Sequence, residues 1–147
     1  MVSMHNVRKY RPADKEDCQR ISRSDFDYHQ YVKLPNHEIV VVEDEGGLVC
    51  GLGVIQIWNW NKTAMIIDIC ADVASRYKGI GRAIIGGLAA AAKEKGCISL
   101  VDYVPVDAEF INFYLRVGFK VIGHHSRFFY HSARDRKDAI IFGVDLE

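Results

Sequence analysis

From Gly79 to Lys95 the chain leaves the alternating pattern of its first half for a helical one, with Ile80, Ile84 and Leu88 at i, i+4 and i+8. A dense alanine run in the same stretch allows close packing. Lys93 and Lys95 suit the helix's C-terminal dipole, and Gly96 suits the position just past its end. Strand-like runs stand on both sides, Thr63–Ala71 before and Cys97–Val104 after, the second stopped by Pro105. Two strands joined through a helix of this length run parallel, which predicts one crossover unit. Upstream, Ile39–Glu43, Leu48–Trp58 and Thr63–Ala71 are separated by Asp44-Glu45-Gly46-Gly47 and Asn59–Lys62, turn signals that predict an antiparallel meander. One sheet must therefore carry both kinds of pairing.

The remaining elements complete a mixed α/β order, β-α-α-β-β-β-α-β-α-β-β. Asn6–Tyr10 opens as a strand, and Asp14–Ser22 reads as a helix with Asp14 as its N-cap. Ser24–Tyr31 reads as a second, poorer helix. Asp107 is placed to cap a helix running through Val117, ended by Gly118. Phe119–Ile122 and Ala139–Val144 close the sheet; His124-His125 reads as polar loop, and His131–Asp138 as a solvated hairpin tip. With 147 residues, no repeats and three prolines, the expectation is a single domain spanning 1–147.

Nineteen basic residues balance nineteen acidic ones, which argues against broad attraction to nucleic acid or to an anionic membrane. Cys18, Cys50, Cys70 and Cys97 form no Cys-x-x-Cys pair, and three of them sit in apolar runs. That usage predicts reduced structural thiols in a cytoplasmic protein. The six histidines show no metal-ligand spacing, so no metal is expected. The opening residues lack the apolar core of a signal peptide, and the helix around Ala83–Ala92 falls short of the ~20 residues a membrane span needs.

The residues entering the long helix carry the chemistry: Arg76-Tyr77-Lys78-Gly79-Ile80-Gly81-Arg82-Ala83. Glycines let backbone N–H groups approach a ligand, the helix start adds unsatisfied donors, and three cations gather there. The construction suits a pyrophosphate, and it equally suits a bare strand-to-helix turn. A P-loop needs Gly-Lys-Ser/Thr, which is absent, and a dinucleotide fingerprint needs a third glycine where Ile84 stands. Arg-x-x-Gly-x-Gly, followed by Phe113-Tyr114-Leu115-Arg116-Val117-Gly118-Phe119 and preceded by Val7-Arg8-Lys9-Tyr10-Arg11-Pro12-Ala13-Asp14, resembles the GNAT superfamily of N-acetyltransferases across essentially the whole chain. More narrowly, Trp60-Asn61-Lys62 leading into Ile66-Ile67-Asp68-Ile69, with Tyr130, is similar to the streptothricin acetyltransferases. The departures from that group are Ile67 for a Glu, Cys70 for an acidic residue, Asp107 for an Asn and Phe110 for an Ala.

The resemblance implies a mostly antiparallel sheet, splayed between its fourth and fifth strands and flanked by helices. It implies acetyl-CoA as acyl donor, held by Arg76, Tyr77, Lys78, Gly79, Ile80, Gly81, Arg82 and Ala83 at the pyrophosphate. Ile69, Cys70 and Ala71 would hold the pantetheine arm, with Asp107, Asn112 and Tyr114 completing the donor site. Tyr114 would protonate the departing thiolate. A primary amine is only ~0.1% neutral near pH ~7.4, ~4 kcal/mol against attack, so a carboxylate that takes its proton helps. Asp68 is the first candidate, since plain alternation groups it with Ile66 and Cys70; Asp72 and Asp102 are reserves. Trp58, Trp60, Tyr28 and Tyr31, with Asp72, Asp102 and Glu109, would suit a cationic acceptor, although ordinary packing or solvation explains each alone. The leading expectation is acetyl transfer to a primary amine of a small cation such as a streptothricin-like antibiotic. Protein or peptide N-acetylation and a silent acyl-CoA-binding module are the alternatives, and a homodimer is left open.

Overall fold

The computed structural model describes residues 5–22, 34–75, 79–132 and 134–147. Among these, seven strands form one sheet: β1 (Asn6–Lys9), β2 (His37–Glu43), β3 (Val49–Trp58), β4 (Thr63–Ala71), β5 (Ser99–Pro105), β6 (Lys120–Ser132) and β7 (Asp135–Asp145). Three helices accompany them, α1 (Lys15–Ser22), α2 (Ile80–Glu94) and α3 (Ile111–Arg116). The strand order is β1-β2-β3-β4-β5-β7-β6, with β4 and β5 parallel and every other neighbouring pair antiparallel. This is the mixed sheet that the crossover and the meander require.

Alternation along the central strands feeds two cores. Val40 and Val42 turn to the α2 face, where Ile80, Ile84 and Leu88 pack, while Ile39 and Val41 turn to the opposite face with Cys18 and Ile21 of α1. The strip of α2 predicted from i, i+4, i+8 is therefore the buried one. Its end is also as read: Lys95 caps it, and Gly96 takes φ 84°. Cys18, Cys50 and Cys97 are buried free thiols, and burial pushes Cys18 up to about 12. Among the described residues, no helix is long and apolar enough to cross a membrane.

Four local expectations need correction. Asp14 ends a short 3-10 turn (Pro12–Asp14) rather than capping α1, because its carboxylate turns back to the Arg11 N–H and the Arg8 guanidinium, all at 2.8 Å. The helix expected from Asp107 begins only at Ile111. Pro105 starts a turn closed by the Ala108 N–H, and the Asp107 carboxylate goes to Lys137 Nζ at 2.6 Å instead of to a helix end. His124-His125 lies inside β6, not in a loop, since no glycine or proline stands between Gly123 and the strand's end at Ser132. For the same reason β6 and β7 reach as far as the paired Ser132 and Asp135, so most of the expected hairpin tip is strand. The expected helix Ser24–Tyr31, with Tyr28 and Tyr31, lies outside the described residues.

Candidate active site

The parallel seam between β4 and β5 is short. It runs from Thr63 opposite Ser99 to Ile66 opposite Asp102, and no pairing follows although both strands continue. At that point β4 carries an extra residue. Ile55 of β3 faces Ile66 and Val54 faces Asp68, leaving Ile67 as a bulge. A bulge bends its strand and sharpens the local twist, so the end of β4 swings away from β5. A cleft of about 980 Å³ opens in the gap, floored by α2 and walled by α3.

The bulge also changes the faces. Asp68 and Cys70 pair with Val54 and Leu52, which belong to the α1 core, whereas Ile66, Ile69 and Ala71 pack toward α2. Asp68 therefore does not share a face with Ile66, as plain alternation predicted, because the inserted Ile67 breaks the period of two. It keeps company with Cys70, whose Sγ donates to Asp68 Oδ1 at 3.3 Å.

Several predicted residues meet in the cleft. Asp68, Ile69 and Ala71 come from β4, Gly79, Ile80, Gly81 and Arg82 from the start of α2, Asp102 from β5, and Tyr114 from α3. Asp107 and Glu109 stand in the turn between β5 and α3. Gly79 adopts φ 81°, a conformation side chains resist. A Cβ on Gly81 would lie 3.0 Å from the Phe113 ring, so α3 packs directly over the start of α2. Arg76, Tyr77 and Lys78 lie outside the described residues.

Others are placed elsewhere. Trp58 sits opposite Thr63, at the far end of β4, roughly 17 Å from Asp68 along the strand, and its Nε1 donates to Gln56. Trp60 is 81% exposed beyond it. Neither wall of the cleft includes them, because the meander carries the Trp58–Asn61 turn to the opposite edge. Asp72 is tied to Arg20 of α1 at 2.7 Å, outside the cleft. Cys70, Ala83 and Asn112 are not among the cleft's lining groups either: Cys70 faces α1, Ala83 packs into the core and Asn112 is exposed.

At the seam's last rung, Tyr114 donates its hydroxyl hydrogen bond to Asp102 Oδ2. Both are buried, at 3% and 8% exposure. The ring is gripped by aromatics, stacked on Phe142 at 5.3 Å and edge-on to Phe119 and Phe113. Burial pushes the Asp102 carboxyl up to about 7, against the pull of the Tyr114 and Tyr103 hydrogen bonds and with a push from Asp68. Burial, with the charges of Asp102 and Asp68, holds the Tyr114 phenol well above its ordinary range. A protonated phenol and a carboxyl poised near neutrality are suited to moving protons.

The sequence reading missed Tyr103, Phe110, Phe113 and Arg116, which also line the cleft. Tyr103 packs on Phe128 at 4.7 Å, and His125 lies 5.9 Å from Tyr103 and 4.8 Å from Phe128. Phe128 is brought there by a break in β6 register between His125 and Phe129, where Arg127 takes φ 55° and its N–H donates to Asp138. Period-two counting along β5 would have turned Tyr103 away from Asp102, but nothing local announces the break in β6.

The whole arrangement matches known proteins. Nourseothricin acetyltransferase has the same fold at a TM-score of 0.78 and 22% identity, over 97% of this chain and 99% of that one. The ribosomal-protein-S18-alanine N-acetyltransferase from Escherichia coli superposes with a TM-score of 0.76 and 19% identity, covering 97% and 94%. The Salmonella typhimurium yncA protein, solved with its cofactor acetyl-CoA, gives 0.78 and 18% identity, covering 99% and 95%. No curated protein matches the chain in sequence. The family profile described as Acetyltransferase (GNAT) family matches residues 4–119. With its splayed seam, glycine-entered helix and buried tyrosine, the chain belongs to the GNAT family of N-acetyltransferases.

Proposed function

We propose that the protein transfers the acetyl group of acetyl-CoA to a primary amine of a small cationic molecule of the streptothricin kind. The observation that carries this reading is the buried Tyr114 hydroxyl at the point where β4 and β5 part, facing a cleft large enough for a donor arm and an amine. Beyond Ile66 the edge of β4 that faces β5 runs past the last rung of the seam, and it suits backbone pairing with the pantetheine arm, as a sheet edge accepts a strand. Gly79–Arg82 at the start of α2 supply N–H groups for the donor's phosphates. A backbone N–H near Cys70 or Ala71 would meet the thioester oxygen, a contact worth about 3–4 kcal/mol where such donors are removed.

The acceptor end fits a cation. Asp68 and Glu109 bring carboxylates to the cleft, and Tyr103 brings an aromatic face. Asp68 receives the proton released by the attacking amine, directly or through water, and Tyr114 gives one to the sulfur. The chain's similarity to the nourseothricin enzyme supports this acceptor class without identifying the amine.

The test is mass spectrometry of streptothricin after incubation with acetyl-CoA and the full chain. A product heavier by one acetyl group in place of hydrogen is expected, and its absence overturns the acceptor class. In Tyr114→Phe, turnover should fall about 10²–10⁴-fold with little change in acetyl-CoA affinity. Unchanged turnover removes Tyr114 from the chemistry.

A further inference from the structure

We propose that Asp102 sets which way the Tyr114 phenol proton points, and so decides whether Tyr114 can give that proton to the departing thiolate. This rests on the reading of Tyr114 as the acid. Asp102 occupies the last rung of the parallel seam, opposite Ile66 and across from Phe142 of β7. Its carboxylate holds the Tyr114 hydroxyl, and four aromatic rings fix the phenol so that it cannot turn to another partner without repacking.

The hydrogen bond has two directions. When Asp102 is ionised, the phenol donates to it, and its proton is committed away from the sulfur. When Asp102 is protonated, the carboxyl O–H donates to the phenol oxygen and the phenol proton is released toward the cleft. The step then balances. The donor's C–S bond breaks with its electron pair on sulfur, sulfur takes the Tyr114 proton, and the phenol oxygen takes the Asp102 proton. Asp68 takes the first proton, from the ammonium before attack, and Asp102 recovers its own, through water, as the second proton leaves the nitrogen that has formed the new C–N bond. A phenol beside a carboxylate is a poor donor, and the same phenol beside a carboxylic acid is a competent one.

The surroundings favour the protonated form. Among the described residues, the charge that acts on Asp102 is that of Asp68 on β4, and α3 contributes the Tyr114 phenol. β7 presents Phe142, and α2 turns Ile84 and Leu88 toward this core. Arg82 and Arg116 are exposed on the same cleft. Burial and the Asp68 charge together keep the carboxyl acid near neutrality, where a small change in pH reverses the bond.

The full chain carrying aspartate labelled with carbon-13 at its carboxyl would be titrated by NMR, the Asp102 signal being the one absent from Asp102→Asn. A carboxyl still protonated near pH ~6, with a midpoint that moves upward in Tyr114→Phe, is the expected result. A carboxyl already ionised there, or a midpoint indifferent to Tyr114→Phe, overturns the proposal. Turnover supplies a second arm, with acetyl-CoA and either streptothricin or spermidine as probes. Dividing wild-type kcat by that of Asp102→Asn at each pH cancels the acceptor's own ionisation. The quotient should fall about tenfold per pH unit above neutrality, and a flat quotient overturns the proposal. If the wild type acetylates neither amine, the acceptor class fails separately and the carbon titration alone decides this one.

Discussion

Asp14 lies between two nitrogens of one guanidinium, each 2.8 Å away, while Asp102 has neutral partners, the Tyr114 phenol and a Tyr103 backbone hydrogen bond, and the Asp68 charge nearby. Burial would raise both carboxyls. For Asp14 the Arg8 hydrogen bonds, the Arg11 N–H and the positive charge reverse that and leave it below its ordinary value. For Asp102 nothing reverses it, and the carboxyl rises to about 7. The two therefore respond oppositely to pH. The stability due to Asp14 is present above the unfolded pKa of ~3.9 and is lost as pH falls through the lower folded value. That due to Asp102 is fully present below ~3.9 and is lost as pH rises toward 7, because the unfolded chain ionises this carboxyl first. Asp102→Asn should accordingly raise stability above pH ~7, by up to about 4 kcal/mol, and leave it unchanged near pH ~3. Thermal melts at both pH values check this; a gain of equal size at both would mean that the carboxyl is not held protonated in the fold.

At the scale of elements, the bulge at Ile67 is what makes a site out of a sheet. Deleting Ile67 should restore an even register between β3 and β4, straighten β4 and let its pairing with β5 run past Asp102. The expected outcome is lost acetyl-CoA binding by calorimetry with far-ultraviolet dichroism preserved; retained affinity would detach the cleft from the bulge. Nothing in Ile66-Ile67-Asp68 marks a bulge, since it contains no glycine, and β-branched residues fit a regular strand. That is why β4 was read with its correct ends, Thr63 and Ala71, yet with the wrong face for Asp68. The α2 strip was legible because a period of 3.6 and a glycine entry are local signals. The union of Asp102 with Tyr114 was not, because it depends on α3 folding back over β5. Trp58 and Trp60 misled for the converse reason: aromatics beside a turn resemble a binding wall until the meander places them at the wrong end of the strand. In β6 the absence of a stop signal after Gly123 was itself the clue to a thirteen-residue strand.

Across the whole molecule, the sheet consists of two portions joined through a four-rung parallel seam. One portion is β1 to β4 with α1, and the other is β5 to β7 with α3; α2 lies across the back of the first and reaches the second. A parallel ladder so short leaves the halves lightly stitched on the cleft side. A donor lying along β4 would add the missing rungs and act as a mechanical clasp between them. Donor binding should then be felt as slower amide exchange with solvent along both lips, Ile67–Ala71 and Tyr103–Val104, including amides that touch no atom of the donor. Protection confined to β4 alone would mean that the far lip never feels the clasp. If both lips slow together, the molecule spends part of its binding energy in becoming one body, and a truncated donor that fills the cleft without spanning it would grip less firmly than its contacts suggest.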